Sequence, residues 1–232
     1  MTDAPSARYE NLRLLYRRVR RPAFLGTLRR TTPISRSFGY DRGEPIDRYY
    51  IERFLEANAD AVTGRVLEVK GPEYTRAYGH DVTESAVLDI DRTNEQATIY
   101  ADLASADAIE SNSFDCVILT QTLQLIYDVP AAVRHAHRIL KPGGALLVTV
   151  PVVSRVIAVP GRFLDYWRFT EHSCQRLFSE HFENDDIAIS IYGNVLSCIG
   201  FLTGLASQEL TRRELQHVDS DFCLLVGVRA QK

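Results

Sequence analysis

The stretch NSFDCVILTQTLQLIYDVPAAVRHAHRILKPGGALLVTVP, residues 112–151, decides the fold. It contains two apolar runs, CVIL and ALLVTV, separated by the helical segment PAAVRHAHRILK. The Pro-Gly-Gly sequence at 142–144 is typical of a helix end. Runs that are apolar at consecutive positions are buried on both faces, as in a parallel sheet covered by helices. The stretch therefore predicts a strand, a helix and a second strand parallel to the first.

Further short β-rich runs lie on either side of this unit. They are RVLEVK (65–70), SAVLDID (85–91) and TIYAD (98–102) before it, and IAISIYG (187–193) and FCLLVGVRA (222–230) after it. Their alternation with helical segments predicts an α/β fold with a doubly wound, seven-stranded, mostly parallel sheet. We assign the sheet domain to residues 61–232. Residues 1–60, helical in pattern over 8–30 and again from Asp47, are predicted to form an N-terminal arm and lid.

Composition places the chain among globular proteins and limits its partners. Of its 232 residues, 25% are charged and 45% hydrophobic. Its four cysteines show no CxxC spacing, which favours a reducing compartment, and no His, Asp or Glu cluster predicts a metal site. No apolar segment reaches about 18 residues, so we expect a cytoplasmic protein with no membrane contact.

The N-terminal arm is basic. Residues 1–48 contain 11 Arg and 5 acidic residues. A solvated helix face is the favoured interpretation, and binding of RNA or of an acidic partner is the alternative.

The segment from SFDCVIL through RILKPGGALLVTVP resembles class I S-adenosylmethionine-dependent methyltransferases, of the small-molecule group called type 11. The motifs cover roughly residues 62–152, and the strand pattern continues to residue 232. The resemblance implies a Rossmann-like methyltransferase fold that binds S-adenosylmethionine at the carboxyl ends of the leading strands.

The resemblance also implies cofactor contacts at these strand ends. Glu68 would organise the loop after the first strand and the methionine ammonium of the cofactor. The ribose hydroxyls would meet Asp91, or Asp89 if the register differs; the alternative for either acid is a helix-capping or surface aspartate. The other implied contacts are Ile90 and Leu103 on the adenine ring, Asp102 on its amine, and Gly71, Thr120 and Gln121 on the methionine side.

The loop after the first strand departs from the family pattern, because Lys70 stands where the first glycine is expected. We expect a modified but functional loop, in which Lys70 keeps a negative φ and points its side chain away. S-adenosylmethionine carries no phosphate, so the loop does not need to cradle an anion. The same departure argues against NAD, whose pyrophosphate needs close approach at three glycines.

Two segments outside the motifs are candidates for substrate binding. SFGYDRGEPIDRYYIERFL contributes Arg42, as a partner for a carboxylate, and Tyr49; the alternative for Arg42 is that it only stitches its loop together. DYWRFTEH contributes Tyr166, Trp167 and Arg168, whose alternative is a place in the core. A histidine follows the fourth strand in many relatives, but here Gln124 and Leu125 stand there. His172 and Asp165 are therefore the candidate catalytic residues, against a purely structural role.

Three functions compete at this level. The favoured one is methyl transfer to a small molecule, at a hydroxyl of a secondary metabolite or sugar. The second is methylation of RNA or protein through the basic arm; nucleic acid is disfavoured because no RNA-binding module is visible. The third is a protein that has lost methyl transfer and acts as a cyclase or binding module. A homodimer through residues 193–221 stays open.

Overall fold

The structure is a computed structural model that describes residues 12, 13, 16, 19, 20, 26, 29–157 and 164–232. Residues 1–33 and 34–232 form two compact units, and everything below concerns the second. Most of the helix predicted for residues 8–30 lies outside the described residues. The lid prediction can therefore be followed only from residue 34 onwards.

One seven-stranded sheet forms the centre of the second unit. The strands are β1 Gly64–Val69, β2 Val82–Asp89, β3 Ile99–Tyr100, β4 Phe114–Thr120, β5 Leu140–Pro151, β6 Ile187–Tyr192 and β7 Leu225–Gln231. Their order is β3-β2-β1-β4-β5-β7-β6, with β7 antiparallel to both of its neighbours and the other pairs parallel. The predicted doubly wound, mostly parallel sheet is confirmed. The chain leaves the centre in both directions from β1 and β4, and this switch point is where ligands bind in such sheets.

Six helices within residues 34–157 and 164–232 flank the sheet. They are α1 Ile46–Ala57, α2 Glu73–Tyr78, α3 Val129–Ile139, α4 Glu171–Phe178, α5 Val195–Thr203 and α6 Arg212–Gln216. Thr170 caps α4 as its sequence predicts, with Oγ1 accepting from the amide of Ser173, and Asp128 caps α3 in the same way. No helix in the described part of the chain is long and apolar enough to cross a membrane.

Two strand boundaries differ from the prediction. Helix α3 ends at Ile139, and β5 already begins at Leu140, so the Pro-Gly-Gly sequence lies inside a strand. Strand β2 ends at Asp89 rather than Asp91, because the chain turns at Ile90 and the amide of Asp91 bonds back to the Asp89 carboxylate. Strand ends are set by such local bonds, which an apolar pattern does not reveal.

Both faces of the sheet are buried, which explains the continuous apolar runs. Alternate residues of β4 point to opposite sides: Val117 and Leu119 pack with α3 and α4, and Cys116 and Ile118 pack with α1. The packing on the α1 side is close at Gly227 of β7, where an added Cβ would lie 2.4 Å from the Phe54 ring. Burial on both faces leaves the strand ends as the place for polar, functional groups.

Candidate active site

A cleft of about 1020 Å³ opens at the carboxyl ends of β1, β2 and β4. The strand ends supply Lys70, Asp89 and Thr120 to its floor. Residues Tyr40, Asp47 and Arg48, from the segment that precedes β1, form one wall, and Leu164 and Tyr166 stand at its mouth. A smaller cleft of about 490 Å³ adjoins it and shares Arg48, Val69, Lys70 and Asp89. The size and position are those of a small-molecule site in an open α/β sheet.

Asp89, and not Asp91, lies in the main cleft. Asp89 is the last residue of β2; its Oδ1 accepts from the amide of Asp91 at 2.9 Å and its Oδ2 from the Asn94 side chain at 2.8 Å. Asp91 lines only the smaller cleft, and its Oδ1 accepts from the amide and the hydroxyl of Thr93. The residue at the position expected for a ribose-binding acid is therefore Asp89.

The other residues expected beside a nucleoside come together. Ile90 is 54% exposed and Leu103 is buried, and both line the main cleft. Asp102 lies next to them and caps a short 3-10 turn, with its Oδ1 accepting from the amide of Ala104 at 2.9 Å. Two apolar groups and one carboxylate therefore meet at the β2–β3 end of the cleft, as an adenine ring requires.

Glu68 makes hydrogen bonds to the loop and helix that follow β1 and does not line the cleft. Its side chain is buried and accepts three hydrogen bonds: from the amide of Tyr74 at 3.0 Å, the amide of Thr75 at 2.7 Å and the Thr75 hydroxyl at 2.8 Å. Burial raises the pKa of Glu68, and the Thr75 and Tyr74 bonds oppose that shift. The carboxylate thus fixes the start of α2 and the loop before it, and it does not line either cleft.

We expect Glu68→Gln to destabilise the fold by about 2 kcal/mol. Hydrogen bonds to a buried charged acceptor are strong, and the NH₂ group of the glutamine would face N–H and O–H groups that need an acceptor. Urea unfolding measures this. Glu73→Gln, on the exposed side of the same helix, should leave the unfolding midpoint unchanged. Equal midpoints for the two variants would contradict the role given to Glu68.

Lys70 does not keep the negative φ that the sequence analysis expected. Its φ is +77°, in the left-handed region that favours glycine. The Lys70 amide donates to the carbonyl of Leu88 at 2.9 Å, and the Lys70 carbonyl accepts from the Asn94 side chain at 2.7 Å. These two hydrogen bonds hold the left-handed conformation. Lys70 lines both clefts, whereas Gly71 lines only the smaller one. The loop thus keeps the backbone path of a glycine with a lysine side chain on it.

Replacing Lys70 by glycine should therefore raise the free energy of unfolding by about 0.5–1 kcal/mol, since a left-handed residue with a Cβ is strained. Lys70→Ala is the matched variant, because it removes the amine but keeps the Cβ. Chemical denaturation should show a gain for glycine alone. A similar gain for alanine would mean that the side chain, and not the backbone, is the source of strain.

Asp47 and Arg48, in the first turn of α1, are cleft residues that the sequence analysis did not select. The Nε of Arg48 donates to the hydroxyl of Tyr40 at 3.0 Å, and its Nη1 donates to the hydroxyl of Tyr74. Asp47 accepts from the amide of Arg48. Burial raises the pKa of Asp47 to about 6, against the opposing effect of the Arg48 charge. The wall of the cleft thus presents a carboxylate and a guanidinium side by side.

Comparison with known proteins agrees with this geometry. Residues 61–148 match the family model described as a methyltransferase domain. This part of the chain, which runs from the residues before β1 into β5, is therefore similar to a methyltransferase domain. A search of the curated proteins finds no match.

Solved structures share the fold of this methyltransferase domain at low identity. The (4+2)-cyclase SpnF is 17% identical with a TM-score of 0.51, over 78% of this chain and 81% of that one. An S-adenosylmethionine-dependent methyltransferase from Mesorhizobium loti is 14% identical with a TM-score of 0.50, over 84% and 100%. Phosphoethanolamine N-methyltransferase 2 from Haemonchus contortus is 16% identical with a TM-score of 0.53, over 79% of this chain and 52% of that one.

Arg42 and Tyr49 do not reach the methyltransferase cleft. The guanidinium of Arg42 forms a two-pronged ion pair with Glu209, with Nε 2.9 Å from Oε2, and the Arg42 hydrogen bond lowers the pKa of Glu209 to about 2. Tyr49 packs edge-on against Tyr50 and under the guanidinium of Arg53. The structure supports a structural function for Arg42, as its alternative interpretation held, but Arg42 ties its loop to Glu209 and does not hold the loop to itself.

The two candidate catalytic residues, His172 and Asp165, also lie outside the lining of the main cleft. His172 is exposed in the first turn of α4 and does not line the cleft. The Asp165 side chain is 1% exposed, and both of its oxygens are bound by Arg168, at 2.5 and 2.9 Å. The Arg168 guanidinium also donates to the carbonyls of Ser154, Arg155 and Trp167. Asp165 and Arg168 therefore anchor the segment after β5, and neither is available as a base or a substrate ligand.

Three residues of the fourth strand end remain at the methyltransferase cleft. Thr120 ends β4, Gln121 follows it at φ +48°, and the side chain of Gln124 is almost completely buried beneath them. Tyr166, also named by the sequence analysis, lines the mouth, and Trp167 lies beside it. Among the residues that the structure describes, no group of three or more His, Cys, Asp or Glu could hold a metal ion.

Proposed function

We propose that this methyltransferase domain transfers the methyl group of S-adenosylmethionine to a hydroxyl of a small-molecule acceptor, a secondary metabolite or a sugar. The observation that carries the proposal is the main cleft itself. It runs from a nucleoside-like end at Asp89, Ile90 and Leu103 to an aromatic mouth at Tyr127 and Tyr166. One continuous cleft thus offers a polar end suited to the methyl donor and an aromatic end suited to the methyl acceptor.

The residues present fit S-adenosylmethionine at three points. Asp89 receives the ribose hydroxyls, and Asp102 and the Leu103 side chain receive the adenine ring against Ile90. The carboxylate of Asp47 pairs with the methionine ammonium, and Arg48 beside it attracts the methionine carboxylate. The cofactor is a cation, and acids outnumber cations among the residues that line the cleft, which favours its entry.

The reaction that this arrangement supports is an in-line displacement. The bound cofactor supplies a methyl group on a sulfonium, so the carbon is already activated. With the cofactor bound, the acceptor oxygen would bond to the methyl carbon as the carbon–sulfur bond breaks, S-adenosylhomocysteine would be the leaving group, and the hydroxyl proton would pass to solvent water at the mouth. No histidine lies among the described residues that line the cleft, so orientation and exclusion of water carry the catalysis.

A second candidate is a domain that binds S-adenosylmethionine without transferring its methyl group. The fold shared with the (4+2)-cyclase SpnF, together with Gln124 in place of a histidine, favours it. Consumption of the cofactor separates the two functions.

Two measurements test the proposed function. Calorimetry should show binding of S-adenosylhomocysteine at micromolar concentration or tighter. The protein should then transfer labelled methyl from S-adenosylmethionine to a member of a panel of hydroxylated small molecules, and not to transfer RNA or a peptide mixture. Absence of binding refutes a cofactor site; binding without any transfer favours the second candidate; labelled RNA or peptide refutes the small-molecule acceptor.

A further inference from the structure

Three aromatic side chains form an exposed shelf at the mouth of the cleft. The shelf consists of Tyr127, Tyr166 and Trp167, whose exposed fractions are 71%, 44% and 40%. The Tyr127 ring lies 5.3 Å from Tyr166, edge to face, and 6.0 Å from Trp167. Large aromatic groups normally bury, so a cluster left half in water beside a cleft marks a binding surface.

The shelf is held rigidly in place. The indole Nε1 of Trp167 donates to the carbonyls of Ile126 and Tyr127, at 3.1 and 3.2 Å. The amides of Tyr166 and Trp167 both donate to the carbonyl of Gln124, and the buried Asp165–Arg168 ion pair anchors the same segment. A fixed surface loses little conformational entropy when a ligand binds to it.

Two side-chain amides at the cleft, those of Gln121 and Gln124, each have one atom without a hydrogen-bond partner among the described residues. The Nε2 of Gln124 donates to the backbone carbonyl and to Oε1 of Gln121, at 2.8 and 3.2 Å. These bonds fix the orientation of both amides, because a flip of either would set donor against donor or acceptor against acceptor. Gln124 Oε1 and Gln121 Nε2 are then left as a buried acceptor and a buried donor without hydrogen bonds within the described residues. Unpaired buried groups are costly, and a ligand that pairs with them recovers that cost.

A hydroxyl group has both functions that this pair lacks: its hydrogen is a donor for Gln124 Oε1 and its oxygen is an acceptor for Gln121 Nε2. The amide pair and the shelf are neighbours, because the Gln124 carbonyl holds the shelf and the Gln124 side chain holds the amide pair. One ligand ring can therefore touch both. Its hydroxyl would enter the cleft while its face lies on the aromatic rings.

We propose that the acceptor is a neutral sugar ring that stacks on Tyr127 and Tyr166 and offers one hydroxyl to the Gln121–Gln124 amide pair. This deepens the proposed function and rests on it. A sugar has apolar C–H faces and a hydroxyl-bearing rim, which suits a shelf that leaves the outer face of its ligand in water. A wholly apolar ring would favour complete burial instead.

The charge of the described residues at the mouth disfavours polyanionic acceptors. None of the described residues that line it, Leu125 to Asp128, Ser154, Ile157, Leu164 and Tyr166, is a lysine or arginine. Arg168 is engaged by Asp165 and by backbone carbonyls, and Arg155 lies over the Phe38 ring. Binding of nucleic acid depends on free cations at the phosphates, and the described residues of this mouth do not supply them.

The single tryptophan of the chain, Trp167, makes the shelf directly observable by fluorescence. The protein, saturated with S-adenosylhomocysteine, is applied to a printed array of neutral glycans ending in glucose, galactose, mannose, rhamnose and N-acetylglucosamine. The methyl glycoside of each retained sugar is then titrated while Trp167 emission is followed. We expect saturable quenching or a blue shift, with affinity reduced at least tenfold in Tyr127→Ala and in Gln124→Met.

Phe222→Ala, an equally exposed aromatic outside the cleft, is the control and should bind as the unchanged protein does. The affinity for S-adenosylhomocysteine, measured in parallel, shows that each variant is folded. If that affinity is present and no neutral glycan is retained, or if retention survives Tyr127→Ala, the sugar proposal is wrong while the cofactor site stands. If the unchanged protein does not bind S-adenosylhomocysteine, the proposed function itself fails.

Discussion

Asp89→Asn should weaken the binding of S-adenosylhomocysteine by about 100-fold, the largest single effect expected in this protein. Each ribose hydroxyl that donates to a charged carboxylate contributes on the order of 1.5–3 kcal/mol, and the amide replaces one acceptor by a donor. Asp89 also accepts from the amide of Asp91 and from Asn94, so the variant loosens the turn that shapes the floor of the cleft. Calorimetric titration at neutral pH measures the loss.

Asp91→Asn is the matched control, because the two acids lie on either side of Ile90 and only Asp89 lines the main cleft. We expect a loss of less than about threefold, since its bonds to Thr93 stay within its own turn. Melting temperatures recorded for both variants separate a binding effect from unfolding. A larger loss for Asp91 than for Asp89 would restore the assignment made from the sequence.

The fold was predictable because its signal is repeated along the chain. Seven apolar runs, each bounded by turn residues, alternate with helical segments, and burial on both sheet faces leaves little freedom in how they assemble. The Thr170 cap was predictable for the same reason, since capping chemistry is local. Information within a few residues suffices for both.

The site was less predictable, because it depends on distant partners and on single residues. Arg42 and Arg48 lie six positions apart in one segment, yet only Arg48 lines the cleft. Arg42 is instead paired with Glu209, which is 167 positions away in the sequence and so gives no local signal. Strand β2 ends two residues earlier than predicted, so that Asp89 and not Asp91 lines the main cleft. The left-handed conformation of Lys70 could not be predicted from the residue type, because residues other than glycine normally avoid positive φ.

Asp47→Asn should lower the affinity for S-adenosylhomocysteine about tenfold while leaving that for methylthioadenosine unchanged. Methylthioadenosine keeps the nucleoside and the sulfur but lacks the amino-acid end, so it makes no contact with a partner of the methionine ammonium. A charge-assisted hydrogen bond in a partly buried site is worth about this much. Calorimetry with the two ligands on the same protein samples tests the pairing, and an equal loss for both would place Asp47 elsewhere in the site.

The pH dependence of the same group gives a second, independent signature. Burial holds the pKa of Asp47 at about 6 in the folded protein, above its ordinary value of 3.8, so the folded state binds this proton more tightly than the unfolded chain does. The contribution of Asp47 to the stability of the ligand-free protein should therefore fall as the pH rises from about 4 to about 6 and level off above that, and the difference between the unchanged protein and Asp47→Asn isolates it. Asp47→Asn removes this dependence and should raise stability at pH 7, by on the order of 2 kcal/mol once partial exposure is allowed for.

Ligand binding has the opposite pH dependence, because the ammonium of S-adenosylhomocysteine needs the charged Asp47 carboxylate. The affinity for S-adenosylhomocysteine should therefore drop below about pH 6. A variant that is more stable yet binds less is the combination expected of a charge kept in place for its ligand, and a variant that loses both would identify Asp47 as a structural residue.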